Sequence, residues 1–343
     1  MYFVVIDCGT TNSRAYVVDE TGKIYATAKK AVGVRDTSMT GSKDKLRSGV
    51  REITERAIAE SGIPKEQIAA VLSSGMITSE IGLYEIPHLM APCGVDKLAD
   101  SLTRVENSGI IDGVPVYFVR GIKNRMVRGD KRRSLQTGEV DFMRGEETQM
   151  AGLMTRPDFR LPAVAVVLSS HTKLIPIDEN GIILGSLTTL SGQLFDAVKN
   201  GTFVGKSVEQ RDNAEPCPEQ YFDKTIVHDA IQWADKVGLC RALMFPRFLD
   251  VLLDTKWYER MLFYDALVAA EDMRCMRQLD MLADRLPESY CLIGKKDRCR
   301  LYEFILKEMD PNLRITSISD DAEVDALSVS GILSVAKKAG LVQ

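Results

Sequence analysis

The stretch Val4-Val5-Ile6-Asp7-Cys8-Gly9-Thr10-Thr11-Asn12-Ser13-Arg14-Ala15-Tyr16-Val17-Val18-Asp19-Glu20-Thr21-Gly22 decides how this chain is read, because its plan occurs twice. About 159 positions later, without a gap, stands Ala165-Val166-Val167-Leu168-Ser169-Ser170-His171-Thr172-Lys173-Leu174-Ile175-Pro176-Ile177-Asp178-Glu179-Asn180-Gly181. In both copies an apolar run meets a small hydroxyl-rich turn, and a basic residue, Arg14 or Lys173, begins a second apolar run. Each second run ends in Asp-Glu-Thr-Gly or Asp-Glu-Asn-Gly, a turn sequence suited to a hairpin. Two copies at half-chain spacing predict two similar domains. Each begins with a β-hairpin whose first turn suits a nucleotide's phosphates.

The bulk numbers fit that reading. A chain of 343 residues favours two domains, and 45% hydrophobic residues supply two cores. A formal net charge of −4 argues against a general nucleic-acid binder, since no large positive field releases counterions. The seven cysteines, at 8, 93, 217, 240, 275, 291 and 299, form no Cys-x-x-Cys pair and no Cys/His cluster. Neither a disulfide frame nor a structural zinc is expected, and a reducing cytoplasm is the expected home. The N-terminus reaches a charge at Asp7, too soon for a signal peptide's apolar core. No run approaches the roughly 18 apolar residues of a membrane span.

Periodicity predicts strands at 2–8, 14–19, 23–29, 68–73 and 115–119, and a helix over 46–61. Residues 35–45 read as a polar loop, as do 120–133. A helix is expected over 145–153, broken at Arg156-Pro157-Asp158, where the domain boundary is placed: 1–158 and 159–343. The second half repeats the plan with a strand at 163–168, helical periodicity over 191–199 and between 223 and 286, and a strand at 290–293 running into Gly294. A helix over 297–308 with Asp297 as N-cap, a strand at 313–317 and a closing helix over 325–338 complete it. This order points to two α/β domains around a cleft.

Five constellations are candidates to carry chemistry. Asp7-Cys8-Gly9-Thr10-Thr11-Asn12 offers backbone N–H groups at a glycine turn plus two hydroxyls, a concave anion site. Asp7 at its base is suited to hold Mg²⁺ through water. The same residues also read as a hairpin turn that satisfies its own backbone. Ser169-Ser170-His171-Thr172-Lys173 is the second such turn. Asp141-Phe142-Met143-Arg144-Gly145-Glu146-Glu147-Thr148 precedes an apolar helix. A carboxylate there suits proton abstraction from a hydroxyl, and Arg144 suits a carboxylate or phosphate; an acidic helix start stabilised by its dipole is the plainer account. The basic residues Arg120, Lys123, Arg125, Arg128, Lys131, Arg132 and Arg133 read as a solvated loop or as a lure for an anionic sugar. Gly294 reads as a strand-end turn, or as a place where backbone approaches adenine or ribose.

The opening motif Asp7-Cys8-Gly9-Thr10-Thr11-Asn12-Ser13-Arg14 resembles the first phosphate motif of the sugar kinase/actin/heat-shock-ATPase superfamily. Four further blocks make the chain resemble the 2-dehydro-3-deoxygalactonokinases. They are Ser74-Gly75-Met76-Ile77-Thr78-Ser79 with Gly82, Asp141 to Gln149, Ser170-His171-Thr172-Lys173, and Leu190-Ser191-Gly192-Gln193-Leu194-Phe195. The resemblance implies two ribonuclease-H-like (actin-like ATPase) domains flanking a nucleotide cleft. It implies phosphorylation of 2-dehydro-3-deoxygalactonate at its 6-hydroxyl with ATP and Mg²⁺. It makes Glu146 the base with Glu147 as the alternative, gives the phosphates to Gly9, Thr10, Thr11, Asn12 and to 169–173, the adenosine to Gly294, and the sugar to Arg144, Gly75 and Met76. The chain departs from the family pattern at Ser169, usually glycine, at Cys8, often Trp, at Arg120-Gly121-Ile122, typically Pro-Gly-Leu, and at Gln193, typically Glu.

Other readings of the same fold are a nucleotide-binding regulatory module without kinase activity, a kinase for another 2-keto-3-deoxy sugar acid, and an actin-like or chaperone ATPase. The sequence leaves open whether the chain forms a homodimer.

Overall fold

The computed structural model describes residues 1–125, 136–212, 214–283 and 286–342. Fourteen strands are described: β1 Tyr2–Cys8, β2 Ser13–Asp19, β3 Ile24–Lys30, β4 Ile68–Gly75, β5 Leu89–Met90, β6 Thr103–Val105, β7 Val116–Phe118, β8 Ile122–Lys123, β9 Phe142–Met143, β10 Ala163–Leu168, β11 Thr172–Ile177, β12 Leu187–Thr189, β13 Ser289–Gly294 and β14 Arg314–Ile318. They form a six-stranded sheet in the order β3-β2-β1-β4-β7-β6, a five-stranded sheet in the order β12-β11-β10-β13-β14, and a small sheet β5-β8-β9. The first five positions of the large sheet and the second sheet share one plan: a three-strand meander, then strands reached by crossovers. In the first sheet β1, β2 and β3 pair antiparallel and β4 joins β1 in parallel. In the second, β11 and β12 are antiparallel, and β13 and β14 parallel.

The repeat extends to single hydrogen bonds. Asp19 Oδ1 accepts from the N–H groups of Thr21 and Lys23 at 2.9 and 3.2 Å. Asp178 Oδ1 accepts from Asn180 and Ile182 at 2.9 and 2.8 Å. Gly22 and Gly181 then close the two turns with N–H bonds to Asp19 and Asp178 carbonyls.

Contacts divide the described chain into two compact units. One comprises 1–165, 175–186 and 320–343; the other comprises 166–174 and 187–319. The single cut expected at 158/159 is therefore not how the contacts divide. The closing helix, Asp321–Lys338, packs with the first unit, chiefly on helix Glu146–Leu153. Two glycines allow this: a Cβ at Gly152 would lie 2.0 Å from the Leu327 carbonyl oxygen, and one at Gly331 would lie 1.7 Å from that of Thr148. The first unit's core sits where Val4, Ile6, Ala15 and Val17 meet Leu46, Val50, Ile53 and Ala57 of helix Asp44–Ser61, all fully buried. In the second unit Val227, Ala230 and Ala234 of helix Lys224–Val237 and the long helix Trp257–Met276 supply much of the core.

Two local expectations are corrected. Residues 35–45 are not a loop: helix Val34–Thr40 stands there, and helix Asp44–Ser61 already begins. Its polar face hid it, but Arg35 N–H donates to Thr10 O (2.9 Å) and Asp36 Oδ2 caps Gly33 N–H (3.1 Å). Asp297 is not an N-cap; it lies inside the first turn of helix Lys296–Met309, with Lys295 at the cap. Within 120–133, Ile122–Lys123 is a strand, Arg120 Nε donates to Pro87 O, and Arg128, Lys131, Arg132 and Arg133 lie outside the described residues.

A Gly331→Ala substitution should push the closing helix off helix Glu146–Leu153 and destabilise the protein by roughly 3 kcal/mol, as overpacking of a tight contact does. Equilibrium urea unfolding checks this, and a wild-type midpoint would contradict the close helix crossing.

Candidate active site

The first turn leaves β1 at Cys8 and returns as β2 at Ser13. Gly9 N–H donates to Asn12 O at 2.9 Å, closing it. The turn's carbonyls are taken from below: Val34 and Arg35 N–H groups donate to Gly9 O and Thr10 O. A Cβ at Gly33 would stand 2.4 Å from Thr10 O, so only glycine brings the helix start this close. Among the described residues no acceptor meets the N–H of Thr10 or Thr11. Thr11 and Asn12 are exposed, and Asn12 Nδ2 donates to Thr11 Oγ1 at 3.1 Å.

Asp7, at the end of β1, lies opposite Arg14 on β2 and beside Ser74 on β4. Arg14 Nη1 stands 3.7 Å from Asp7 Oδ2, and its Nε 3.6 Å from Oδ1 of Asp325 on the closing helix. Lys29 also pairs with Asp325 at 3.0 Å. Burial pushes the Asp7 carboxyl up to about 6; Arg14 opposes this, while the charges of Asp325 and Glu146 add to it. Two carboxylates thus act on Asp7, one from the closing helix and one from helix Glu146–Leu153.

That last helix begins at Gly145, whose φ of 109° suits glycine and turns the chain sharply. The two acids that follow have different surroundings. Glu147 is fully buried, and both its oxygens accept from Gly145 N–H at 2.9 and 2.8 Å. Burial, and then the Glu146 charge, push its carboxyl up to about 8. Glu146 is only partly buried, and its Oε2 accepts from Arg144 N–H at 3.2 Å.

Arg144 is 9% exposed, and both terminal nitrogens of its fork are occupied. Nη1 donates to Thr78 Oγ1 at 2.6 Å; Nη2 donates to Ile86 O at 2.8 Å and lies 3.3 Å from His88 Nδ1. Burial, then the Arg144 charge, lower His88 to about 4, so its ring is neutral and Nδ1 accepts. Arg144 therefore braces the segment from Met76 to His88. Gly75 (φ 93°) ends β4 with its Cα facing the Cys8 carbonyl, and Met76 starts the short 3₁₀ turn Met76–Thr78. A Cβ at Gly145 would lie 3.4 Å from Gly75 Cα, so 7, 75, 76, 144, 145 and 146 are brought together within the first unit.

The second turn is built alike in the other unit. A Cβ at Gly192, about 159 positions after Gly33, would stand 2.1 Å from Ser169 O, and Gln193 N–H donates to Ser170 O at 2.8 Å. Ser169 and Ser170 are exposed; Ser169 Oγ donates to His171 O, and Ser170 Oγ lies 3.2 Å from His171 Nδ1. Thr172 is fully buried, with Oγ1 2.7 Å from Ser191 Oγ. Lys173 is 7% exposed and donates to Thr188 Oγ1 at 2.8 Å; its counterpart in the first copy, Arg14, faces carboxylates. Gly294 ends β13 as Gly75 ends β4: a Cβ there would meet Leu168 O at 2.7 Å.

Sequence reading missed Asp325 and His88, which no local motif marks, gave no role to Thr78 inside the 74–79 block, and missed Gly33, whose spacing to Gly192 was a signal in plain view. Two α/β units of ribonuclease-H-like plan, each presenting a glycine-braced hairpin turn, define the actin-like ATPase class of fold. The 2-keto-3-deoxy-galactonokinase family model matches residues 7–332, and the chain belongs to that family. A Rhizobium meliloti (strain 1021) protein described as a probable 2-dehydro-3-deoxygalactonokinase, DgoK1, is 23% identical over 62% of this chain; the match spans 60% of that relative's length. The crystal structure of a Sinorhizobium meliloti protein described as a 2-dehydro-3-deoxygalactonokinase superposes with a TM-score of 0.70 at 20% identity, covering 98% of each chain. Component A of the Acidaminococcus fermentans (R)-2-hydroxyglutaryl-CoA dehydratase shares the fold with a TM-score of 0.51 at 12% identity, covering 99% of each chain. No described helix is long and apolar enough to cross a membrane.

The Glu147 carboxyl is raised from its ordinary 4.5 to about 8 in the folded chain. Between these values the folded chain keeps a proton that the unfolded chain has lost, so this group's contribution to stability falls as pH rises through the window. Replacing Glu147 by Gln, which imitates the neutral acid, should flatten the decline in unfolding free energy between pH 5 and pH 8. Urea midpoints across that range test it; parallel wild-type and variant profiles would show Glu147 to be ionised.

Proposed function

We propose that the chain is an ATP-dependent sugar-acid kinase that phosphorylates 2-dehydro-3-deoxy-D-galactonate on its 6-hydroxyl. Family membership supports the reaction class. The observation that carries the assignment of roles is the placement of the partly exposed Glu146 within electrostatic reach of Asp7, at the foot of a turn whose Thr10 and Thr11 N–H groups meet no described acceptor.

In this reading Glu146 orients the 6-hydroxyl and takes its proton as the oxygen attacks the terminal phosphorus of ATP, and ADP leaves. The backbone N–H groups of Thr10 and Thr11 and the Asn12 side chain hold phosphate oxygens, as preorganised donors do, and Gly9 closes the turn and lets the phosphates approach it. Gly75 and Met76 line the sugar acid, and Arg144 serves it by fixing the Met76–Thr78 turn. In the second unit Ser169, Ser170 and His171 are assigned to nucleotide phosphates, Thr172 and Lys173 to holding that turn's shape, and Gly294 to the adenosine.

Mg²⁺ fits the donor set. Asp7 is a carboxylate whose ionisation is opposed by burial and two neighbouring acids, an excess of negative charge that a hydrated cation relieves. Asp7 would hold it through water, and when bound it neutralises charge on the phosphates. The seven cysteines, scattered without a Cys-x-x-Cys pair, suit the reducing cytoplasm in which we place the chain.

A coupled assay for ADP release across 2-keto-3-deoxy sugar acids tests this reading. Saturable, sugar-dependent turnover with the galactonate derivative is expected, and nucleotide binding without turnover on any sugar acid would refute it. Glu146→Gln should lower kcat by about 10²–10⁴-fold, whereas Glu147→Gln should stay within about tenfold of wild type because a buried, neutral acid takes no substrate proton. Loss of turnover in the second variant alone would reverse the two assignments.

A further inference from the structure

Below the second turn, a run of side-chain contacts leads from Thr172 into the interior of its unit. Thr172 Oγ1 meets Ser191 Oγ at 2.7 Å, and Ser191 Oγ lies 3.1 Å from Thr189 Oγ1. Thr189 Oγ1 donates to Oδ1 of Asp272, a fully buried acid on helix Trp257–Met276. The other oxygen of Asp272 accepts from Tyr302 Oη, and Tyr302 accepts from Arg298 Nη2 at 3.0 Å. Both Tyr302 and Arg298 stand on helix Lys296–Met309, which follows Gly294.

The polarity of this run is set at one end. A hydroxyl has a single proton, and a carboxylate only accepts. Thr189 gives its proton to Asp272, the stronger acceptor. Thr189 Oγ1 is also the donor toward Ser191 Oγ, so Ser191 accepts on that side and its own proton is left for Thr172. Thr172 is thereby held from the inside by Ser191, and the turn is tied to the acid. Burial, and then the charge of Asp272, raise the Tyr302 phenol far above its ordinary range, so it stays a donor.

We propose that Asp272 is a positioning residue for the second phosphate turn: it anchors the Thr189–Ser191–Thr172 hydroxyl run and so the outward aim of residues 169–171. The inference rests on the assignment of that turn to nucleotide phosphates. Asp272 touches no substrate; it acts through Thr172, so its loss weakens the grip on phosphate while leaving the adenosine contacts in place.

Isothermal titration with MgATP and, separately, with adenosine tests this on the full-length protein. Asp272→Asn removes the anchoring charge. Thr189→Val cuts the run at its middle with little change of shape and keeps the proposal testable if the Asp272 variant fails to fold. In either variant the dissociation constant for MgATP should rise about tenfold, the scale of one lost hydrogen bond, while that for adenosine stays within about twofold. Parallel weakening of both ligands, or no change in either, would overturn the assignment of Asp272 alone. A wild-type protein that binds neither ligand would overturn the kinase reading, and this assignment with it.

Discussion

Everything proposed for this chain depends on the close approach of a helix start to the carbonyls of a hairpin turn. A turn that is to present N–H groups outward must turn carbonyl oxygens inward, where each needs a donor. A helix start has the opposite need, since its first N–H groups lack partners within the helix. The two are matched at Val34 and Arg35 against Gly9 and Thr10, and at Gln193 against Ser170. The match requires that no side chain stand between them. Gly33 and Gly192 meet that requirement at equivalent places, and a methyl group at either would overlap a carbonyl oxygen.

The same constraint explains what was legible in the sequence. The hairpins, their Asp-Glu-x-Gly turns and the spacing of the copies are local patterns, and they held down to the N–H groups accepted by Asp19 and Asp178. Helix Val34–Thr40 was not legible, because its seven residues are mostly polar and its anchor is a turn about 25 positions earlier. Asp325 was missed for a like reason: nothing around it in sequence is unusual. It becomes part of the site because the closing helix packs on helix Glu146–Leu153, which the small size of Gly152 and Gly331 allows. A boundary drawn once along the chain could not place that helix in the first unit. Arg144 was read as a cation for a ligand, but its fork serves Thr78, Ile86 and His88; a sequence shows an arginine and not the carbonyls it will find.

Two glutamates in succession at a helix start look redundant in sequence, yet the fold makes them unlike. Successive side chains on a helix point about 100° apart, so when one faces the core its neighbour faces away. Glu147 takes the inward place, where burial favours its neutral form. That neutrality bears directly on Glu146. Asp325 and Glu146 already oppose the ionisation of Asp7, with Arg14 set between Asp7 and Asp325. A fourth charge at Glu147 would raise the cost of ionising Glu146, and an acid that holds its proton cannot accept one from a hydroxyl. Burying Glu147 in its protonated form keeps the negative charge on the carboxylate that reaches the surface. In the proposed reading the pair is one ionisable base and one uncharged support rather than two candidates for the same task.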